Sequence, residues 1–274
     1  MAVKVGEILE ELDDFAPFSL SESWDNTGLL IGSAEMAVSS ILLGLDPCES
    51  VISEAAEKKC NLVITHHPII FKPLSSIDTG TVIGRLIQKA LQNSISVIAC
   101  HTNLDNTAYG VSDALGNALG ITGMSPIIPS GNSLFPGSGS GRIGTLEQEV
   151  SGRHFLQRIM DSLGLDRLQV AGRIPERINR AAVCGGSGSG FAVRAKELGA
   201  DIYLTAEVKH DTARWAEDEG FCIVDGTHYA TERLAVHLLH EKLTETARKN
   251  NWNIKIIPTE TERHPFVSVD KNSL

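Results

Sequence analysis

The chain has 274 residues, of which 42% are hydrophobic and 21% are charged, and its formal net charge is −10. These values are typical of a globular protein with one large α/β domain or two small lobes, and the acidic balance argues against a nucleic-acid-binding surface. The first residues lack the pattern of a signal peptide, no stretch is long enough to span a bilayer, and the five cysteines form no CxxC pair. We therefore expect a cytoplasmic protein with reduced thiols and no membrane partner.

Seven short apolar segments rich in β-branched residues are predicted to be strands. In chain order they are Ser40–Leu45, Leu62–Thr65, Ile95–Ala99, Arg180–Cys184, Ile202–Thr205, Phe221–Val224 and Ile254–Ile257. The amphipathic segments between them are predicted to be helices, at Glu49–Lys59, Gly84–Gln92, Ala192–Leu198, His210–Glu217 and Tyr229–Arg248. This alternation indicates βαβ units, so the predicted class is α/β with mostly parallel central strands.

A segment rich in Pro, Gly and Ser, Ser125–Gly144, is predicted to be a linker or a mobile loop. We assign residues 1–124 plus 235–274 to lobe 1 and residues 125–234 to lobe 2. Asn61–Thr65 aligns with Asp201–Thr205, and each half continues into a His-x-x-x-acid motif. This pattern predicts an internal duplication.

Three clusters of histidine and acidic residues follow predicted strands. The first is His66 with His67, the second is His101 with Asp105, and the third is His228 with Glu232 at helical i, i+4 spacing. Each has an ordinary alternative: a hydrogen-bonded buried histidine, a helix cap formed by Asn103 or Asp105, or the exposed start of a helix. Because loops at the carboxyl ends of parallel strands converge, the three clusters together predict one site.

Imidazoles and carboxylates in this number favour borderline divalent ions such as Zn, Fe, Mn or Ni, and a carboxylate can bridge two of them. Two ions would leave coordination positions open for water, which is typical of hydrolytic centres.

Other residues leave two interpretations open. Trp24 either lines a pocket or packs in the core, and Lys72 either meets a substrate phosphate or is solvated. The glycine-rich loop Gly185–Gly190 either makes a tight turn or contacts an anion. His154, His237, His240 and His264 belong to no cluster and are assigned to surfaces or helix faces.

The sequence resembles the Nif-three-like proteins, also catalogued as GTP cyclohydrolase 1 type 2 homologues. The matching motifs are Trp24–Leu29, Thr65–Pro73, His101–Asp105, Cys184–Gly188, Ala200–Thr205, Asp225–Glu232 and His264–Phe266. The resemblance implies two intertwined α/β lobes with two metal ions between them, and a toroidal homohexamer. Its ligand pattern maps onto His66, His67, Asp105, His228 and Glu232, with His101 lining the site. Relatives often carry a Gly-acid pair where this chain has Ala206–Glu207, which leaves the roles of Glu207 and His210 open.

The predicted function is a metal-dependent hydrolase or cyclohydrolase that acts on a nucleotide or a related small phosphorylated molecule. His101 and Glu232 are the catalytic candidates, with His101 transferring protons and Glu232 or Asp105 bridging the ions. The candidates for substrate contact are Trp24, Lys72 and Asn103. The alternative is a non-enzymatic metal-binding hexamer with a regulatory or scaffold role.

Overall fold

A computed structural model describes residues 2–267 and 269. Within that part of the chain the strands are β1 (Gly28–Ile31), β2 (Ser40–Gly44), β3 (Leu62–Thr65), β4 (Ser96–Ala99), β5 (Ile121–Ser125), β6 (Ile128–Pro129), β7 (Gly139–Ser140), β8 (Arg142–Ser151), β9 (Gln169–Ala171), β10 (Arg177–Ser187), β11 (Ile202–Ala206), β12 (Cys222–Asp225) and β13 (Lys255–Pro258).

The α-helices alternate with these strands. They are α1 (Val5–Phe15), α2 (Glu49–Glu57), α3 (Val82–Gln92), α4 (Thr102–Asn106), α5 (Val111–Ala118), α6 (Gly152–Leu163), α7 (Ala192–Glu197), α8 (His210–Asp218), α9 (His228–Glu232) and α10 (Leu234–Lys249). None of the helices within residues 2–267 is long and apolar enough to cross a membrane.

Two larger sheets form the framework. The first has the order β1-β4-β3-β2-β13, with β13, β2, β3 and β4 parallel and β1 antiparallel at one edge. The second has the order β5-β8-β10-β11-β12-β9, in which β10, β11 and β12 are parallel. The predicted α/β class with mostly parallel central strands is confirmed, and the internal duplication stays a prediction.

The central strands are apolar on both faces because helices cover both sides of each sheet. In the first sheet, Ile64 faces a core that includes α1 and α10, whereas its neighbour Val63 faces a core that includes α2 and α3. This alternation follows from the twofold repeat of side chains along a strand. It explains why runs such as Leu62–Thr65 were recognisable as strands.

The structure corrects three details. The predicted helix Tyr229–Arg248 is two helices, α9 and α10, which meet at Arg233. The cluster of His101 and Asp105, which the sequence places in a loop at the end of a strand, lies partly in the short helix α4 (Thr102–Asn106). The predicted linker Ser125–Gly144 contains the paired strands β6 and β7 and the start of β8. The lobe boundaries stay a prediction. The predicted boundary places all of β5 except Ser125 in lobe 1, whereas β5 pairs with β8 of the second sheet.

Candidate metal site

His66 and His67 follow β3, where the strand leaves the sheet. Their backbone N–H groups donate to the carbonyls of Gly44 and Leu45 at 3.3 and 2.9 Å, which extends the pairing with β2 by two residues. His66 is fully buried, and its Nδ1 lies 2.8 Å from the carbonyl oxygen of Cys100. The chain turn after Thr65 thus lets two adjacent histidines serve one site.

His67 and His101 are each held by a carboxylate. The Nδ1 atom of His67 lies 2.8 Å from Oδ1 of Asp46, which follows β2. The Nδ1 atom of His101, after β4, lies 2.8 Å from Oδ1 of Asp25. Thr102 holds the other oxygen of Asp25, with its backbone N–H at 3.0 Å and its hydroxyl at 2.5 Å. Both imidazoles are therefore fixed through Nδ1, which leaves Nε2 of each ring to face the site.

The second sheet supplies His228 and Glu232 on one face of α9. Thr227 is the N-cap residue, with its hydroxyl 3.4 Å from the N–H of Ala230, and its φ of 62° is unusual for a residue with a side chain. The Nδ1 atom of His228 lies 3.1 Å from Oε1 of Glu207, which follows β11 and also has a positive φ, 53°. Two strained backbone positions thus support one histidine, as is common at functional sites.

The clusters meet around the carboxylate of Glu232. Its Oε2 lies 2.7 Å from Nε2 of His228 and 3.0 Å from Nε2 of His67, while its Oε1 lies 3.9 Å from Nε2 of His66. The same His66 atom is 3.6 Å from Oδ1 of Asp105. The polar side chains that follow the carboxyl ends of the parallel strands in both sheets therefore converge at one place.

Three overlapping groups here have the geometry to hold a metal ion. They are His66, His67 and His101; His67, His228 and Glu232; and His66, Asp105 and Glu232, with the candidate ligand atoms of each group within 4.8 Å of one another. The structure thus brings together all six residues that the sequence singled out.

The hydrogen bonding around the site fits a cation. All four histidines use Nδ1 outside the site, so each presents Nε2 inward, which is the arrangement that a metal-ligating histidine adopts. Within the described chain, Nε2 of His66 and Oδ1 of Asp105 are buried and have no hydrogen-bond partner. Leaving such atoms unpaired is costly, and a divalent ion would satisfy both.

The neighbouring carboxylates raise the pKa values of three of the histidines, His66, His67 and His228. Burial lowers the pKa of His67, but its contacts with Asp46 and Glu232 outweigh burial and raise that pKa to about 10. Burial likewise opposes protonation of His66, yet Asp105 and Glu232 leave its pKa raised. The pKa of His228 is raised mainly by its hydrogen bond to Glu232. Without an ion, the carboxylates therefore favour the protonated forms of these three histidines.

The carboxylates respond in opposite directions. Burial raises the pKa of Glu232, but its contacts with His228, His66 and His67 outweigh burial and bring that pKa well below the usual value. For Asp105, burial dominates and raises the pKa. Glu232 is therefore the more firmly ionised of the two.

The glycine-rich loop Gly185–Gly190 packs against this carboxylate. A Cβ atom at Gly186 would lie 1.9 Å from Oε1 of Glu232, and the φ of Gly186 is +62°. The N–H groups of Gly186 and Gly188 donate to the hydroxyls of Thr231 and Thr205 at 3.1 and 2.9 Å. Since these N–H groups are already paired, the structure favours the tight-turn interpretation over anion binding.

The substrate candidates lie in different environments. Trp24 is 57% exposed, and its ring centroid is 6.1 Å from that of His101. Phe71, which is 43% exposed, lies 5.8 Å from Trp24 and 6.2 Å from His101. Lys72 is exposed beside Phe71. Asn103 is fully buried and donates to the carbonyl of Ala16 at 2.7 Å, which gives no support to substrate contact.

A cleft of about 560 Å³ opens beside His228. Its wall includes Tyr229 and His264, whose ring centroids are 5.5 Å apart, together with Phe266. Arg167 also lines it. His264, which the sequence assigned to no cluster, therefore lines the same cleft as the candidate ligand His228.

Sequence reasoning missed the roles of Asp25 and Asp46 and left that of Glu207 open. Asp46 and Glu207 had a usable signal, because each follows a central strand at the same end as the histidines. Asp25 lies in the Trp24–Leu29 motif, in which only the tryptophan was predicted to contact substrate. Their function, to fix the histidine rings, becomes visible only from the Nδ1 contacts.

Comparison with known proteins agrees with the motifs. The family model described as Duf34/NIF3 (NGG1p interacting factor 3) matches residues 3–265. A protein named GTP cyclohydrolase 1 type 2 homolog, from Clostridium acetobutylicum, is 34% identical over 266 residues, which make up 97% of this chain and 99% of that protein.

Two solved structures share the whole fold. The Staphylococcus aureus hypothetical protein SA1388 matches with a TM-score of 0.90 and 29% identity, covering 98% of this chain and 100% of that one. Reduced HcgD from Methanocaldococcus jannaschii matches with a TM-score of 0.79 and 27% identity, covering 95% and 99%.

Proposed function

We propose that this chain, which belongs to the Duf34/NIF3 family, is a hydrolase that uses two divalent metal ions and acts on a nucleotide or a related small phosphorylated molecule. One observation carries the proposal: the two oxygens of a buried glutamate, Glu232, face different histidines, with His66 beside Oε1 and with His67 and His228 beside Oε2. A carboxylate between two sets of imidazoles suits a bridge between two ions.

The residues divide naturally into two sets. His66 and Asp105 with Oε1 of Glu232 would hold one ion, and His67 and His228 with Oε2 would hold the other. Imidazole and carboxylate ligands suit Zn, Fe, Mn or Ni. When bound, such ions supply Lewis-acid activation of water and of a substrate oxygen.

His101 is the residue we assign to proton transfer. Its Nδ1 is held by Asp25, and the buried Asp25 carboxylate is in turn held by Thr102, so the ring is fixed while Nε2 faces the site. A carboxylate that orients an imidazole in this way also stabilises its protonated form. His101 can thus take a proton at Nε2 and return it to a leaving group.

The exposed rings beside His101 support a substrate with a planar base. Trp24 and Phe71 form an aromatic surface next to the candidate catalytic histidine, and such surfaces bind bases by stacking. Lys72 follows Phe71 in the chain, is exposed, and remains our candidate for phosphate contact. The printed name of the Clostridium acetobutylicum relative, a GTP cyclohydrolase 1 type 2 homolog, agrees with a nucleotide substrate.

The test begins with metal content. Wild-type protein purified without chelator should hold about two ions per chain, and His66→Ala and Glu232→Ala should each hold less. The matched control is His154→Ala, because His154 is exposed and distant from the clusters in sequence. Loaded wild-type protein is then assayed against nucleotides and phosphoesters beside His101→Gln, which we expect to retain metal and lose turnover by about 10²–10⁴-fold. Wild-type protein that takes up no metal would refute the proposal.

A non-enzymatic role is the second candidate, and one observation favours it. The site joins the two sheets, since His66, His67 and His101 follow strands of the first while His228 and Glu232 follow β12 of the second. Bound ions would therefore cross-link the molecule. Metal-ligand variants that lose thermal stability, in a protein without turnover on any tested substrate, would support this role.

The toroidal homohexamer and the cytoplasmic location are also proposals, which rest on the family resemblance and on composition. Light scattering on the purified protein tests the first: a mass near 177 kDa, six times the 29.5 kDa of one chain, is the expected result.

A further inference from the structure

Two glutamates hold the C-terminal segment, residues 259–266, against α2 and the end of β2. Glu54, buried on α2, accepts hydrogen bonds from the hydroxyls of Thr259 and Thr261 at 2.5 and 2.8 Å and from the N–H of Glu260 at 2.9 Å. Glu262 is the second, and it belongs to the segment itself. It is only 8% exposed and points back toward the end of β2.

Glu262 binds the backbone just beyond the end of β2. The ladder between β13 and β2 continues through the N–H of Thr259, which donates to Leu43 at 2.7 Å. Just beyond β2, the N–H groups of Leu45 and Asp46 donate to the two carboxylate oxygens of Glu262 at 3.0 and 2.6 Å. One carboxylate thus fixes two consecutive peptide units.

The same two residues, Leu45 and Asp46, hold His67. The carbonyl of Leu45 accepts the N–H of His67 at 2.9 Å, and Oδ1 of Asp46 lies 2.8 Å from Nδ1 of its ring. On the opposite side of the ring, Nε2 lies 3.0 Å from Oε2 of Glu232. Two contacts, from Glu262 to the N–H of Asp46 and from Oδ1 of Asp46 to Nδ1 of His67, therefore connect Glu262 to the ring that carries the candidate ligand atom.

We infer that Glu262 is a positioning residue for the metal centre, which it serves by fixing the Leu45–Asp46 backbone that orients His67. The inference rests on the proposed function. Glu262 contacts neither an ion nor the substrate; it restricts where the Asp46 carboxylate can lie. Metal sites require ligand atoms within about 0.5 Å of their productive positions, and outer residues that fix a ligand commonly change affinity by about 10–100-fold.

A purely structural role is the competing explanation, and the chain offers a control for it. Glu54 fastens the same C-terminal segment but has no contact with Asp46 or His67 among its hydrogen bonds. Glu54→Gln should loosen the segment without disturbing His67. Glu262→Gln keeps the size of the side chain but places an amide N–H₂ against one of two backbone N–H groups, which disturbs Asp46.

The experiment is a Co²⁺ titration of the metal-free protein. Calorimetry measures the binding affinities during the titration, and visible absorption records the spectrum of bound cobalt. The proteins are wild type, Glu262→Gln, Asp46→Asn, the double variant of these two, and Glu54→Gln, with a thermal melt of each. For Glu262→Gln we expect one of two binding events to weaken by about 10-fold with a changed cobalt spectrum, while the other event is preserved. Asp46→Asn should weaken the same event, and the double variant should be no weaker than Asp46→Asn alone.

Two results would overturn the inference while leaving the proposed function intact. In one, wild type binds two ions and Glu262→Gln binds both with unchanged affinity and spectrum. In the other, Glu54→Gln weakens binding as much as Glu262→Gln, so that loosening the segment explains the effect. Wild type that binds no cobalt would refute the proposed function, and the positioning role with it. If Glu262→Gln does not fold, Glu262→Asp replaces it, because the shorter carboxylate cannot reach both N–H groups, and the same outcomes decide.

Discussion

Gly186 shows how closely the chain is fitted around one carboxylate. Its positive φ and the 1.9 Å separation between a hypothetical Cβ and Oε1 of Glu232 leave no room for a side chain. We predict that Gly186→Ala displaces Glu232 and lowers metal content to about one ion per chain or fewer, since a metal site tolerates only about 0.5 Å of ligand displacement. Elemental analysis of the purified variant measures this.

The control for this prediction lies in the same loop. A Cβ at Gly190 would meet no atom within 4 Å, so Gly190→Ala should bind metal as wild type does. Equal metal content in both alanine variants and wild type would show that the close approach at Gly186 has no bearing on the site.

At the scale of elements, Arg142, the first residue of β8, connects this strand to the helical region before it. It is buried, and its Nε lies 2.6 Å from Oδ2 of Asp113 on α5. Its other nitrogens donate to the carbonyls of Gly139, Gly141 and Thr107 at 2.6, 2.8 and 2.7 Å. This fork of contacts orders a segment whose composition predicted a mobile loop.

We predict that Arg142→Ala lowers the free energy of unfolding by about 3–5 kcal/mol, because it leaves the Asp113 carboxylate without its buried partner. Urea denaturation measures the change. Arg177→Ala is the comparison, because Arg177 pairs with Glu149 at 2.8 Å on the surface, and its loss should cost less than about 1 kcal/mol. Similar losses in the two variants would contradict the assignment.

The same scale shows what the sequence could and could not predict. Strands buried on both faces, such as β3, were recognisable from continuous apolar runs. Short edge strands such as β9 (Gln169–Ala171) were not, because three partly exposed residues carry no periodic signal. The histidine clusters were recognisable because each follows a central strand, and whether they bind metal stays a prediction. Asp25 follows no predicted strand, so its position in the sequence does not connect it with the histidines. The contact between Glu262 and Asp46 spans 216 residues of sequence.

At the scale of the whole molecule, bound ions should link folding to pH. Without an ion the pKa values of His66, His67 and His228 are raised, that of His67 to about 10, so an ion competes with protons for these ligands. Falling pH favours the protonated, metal-free form, and rising pH favours the metal complex. The stabilisation that metal confers should therefore shrink as the solution becomes more acidic.

We predict that chelation at pH 7.5 lowers Tm by about 5–10 °C, as expected when an ion at about 100 times its Kd is withdrawn from a protein of this size. Near pH 5.5 the difference should be smaller, and reloading at pH 7.5 should restore Tm. Scanning fluorimetry with and without chelator measures both. A Tm that chelation leaves unchanged at pH 7.5 would contradict the prediction that the ions join the two sheets.

The position of Trp24 makes the site observable by light. The chain has three tryptophans, and the ring of Trp24 lies 6.1 Å from His101 and stands largely in solvent. A transition-metal ion bound beside that histidine would lie near enough to this indole to quench its emission, and a base stacked on it would do the same. The fluorescence of Trp24 therefore reports whether an ion or a base is bound at the site, and Trp24→Phe would abolish this change in fluorescence.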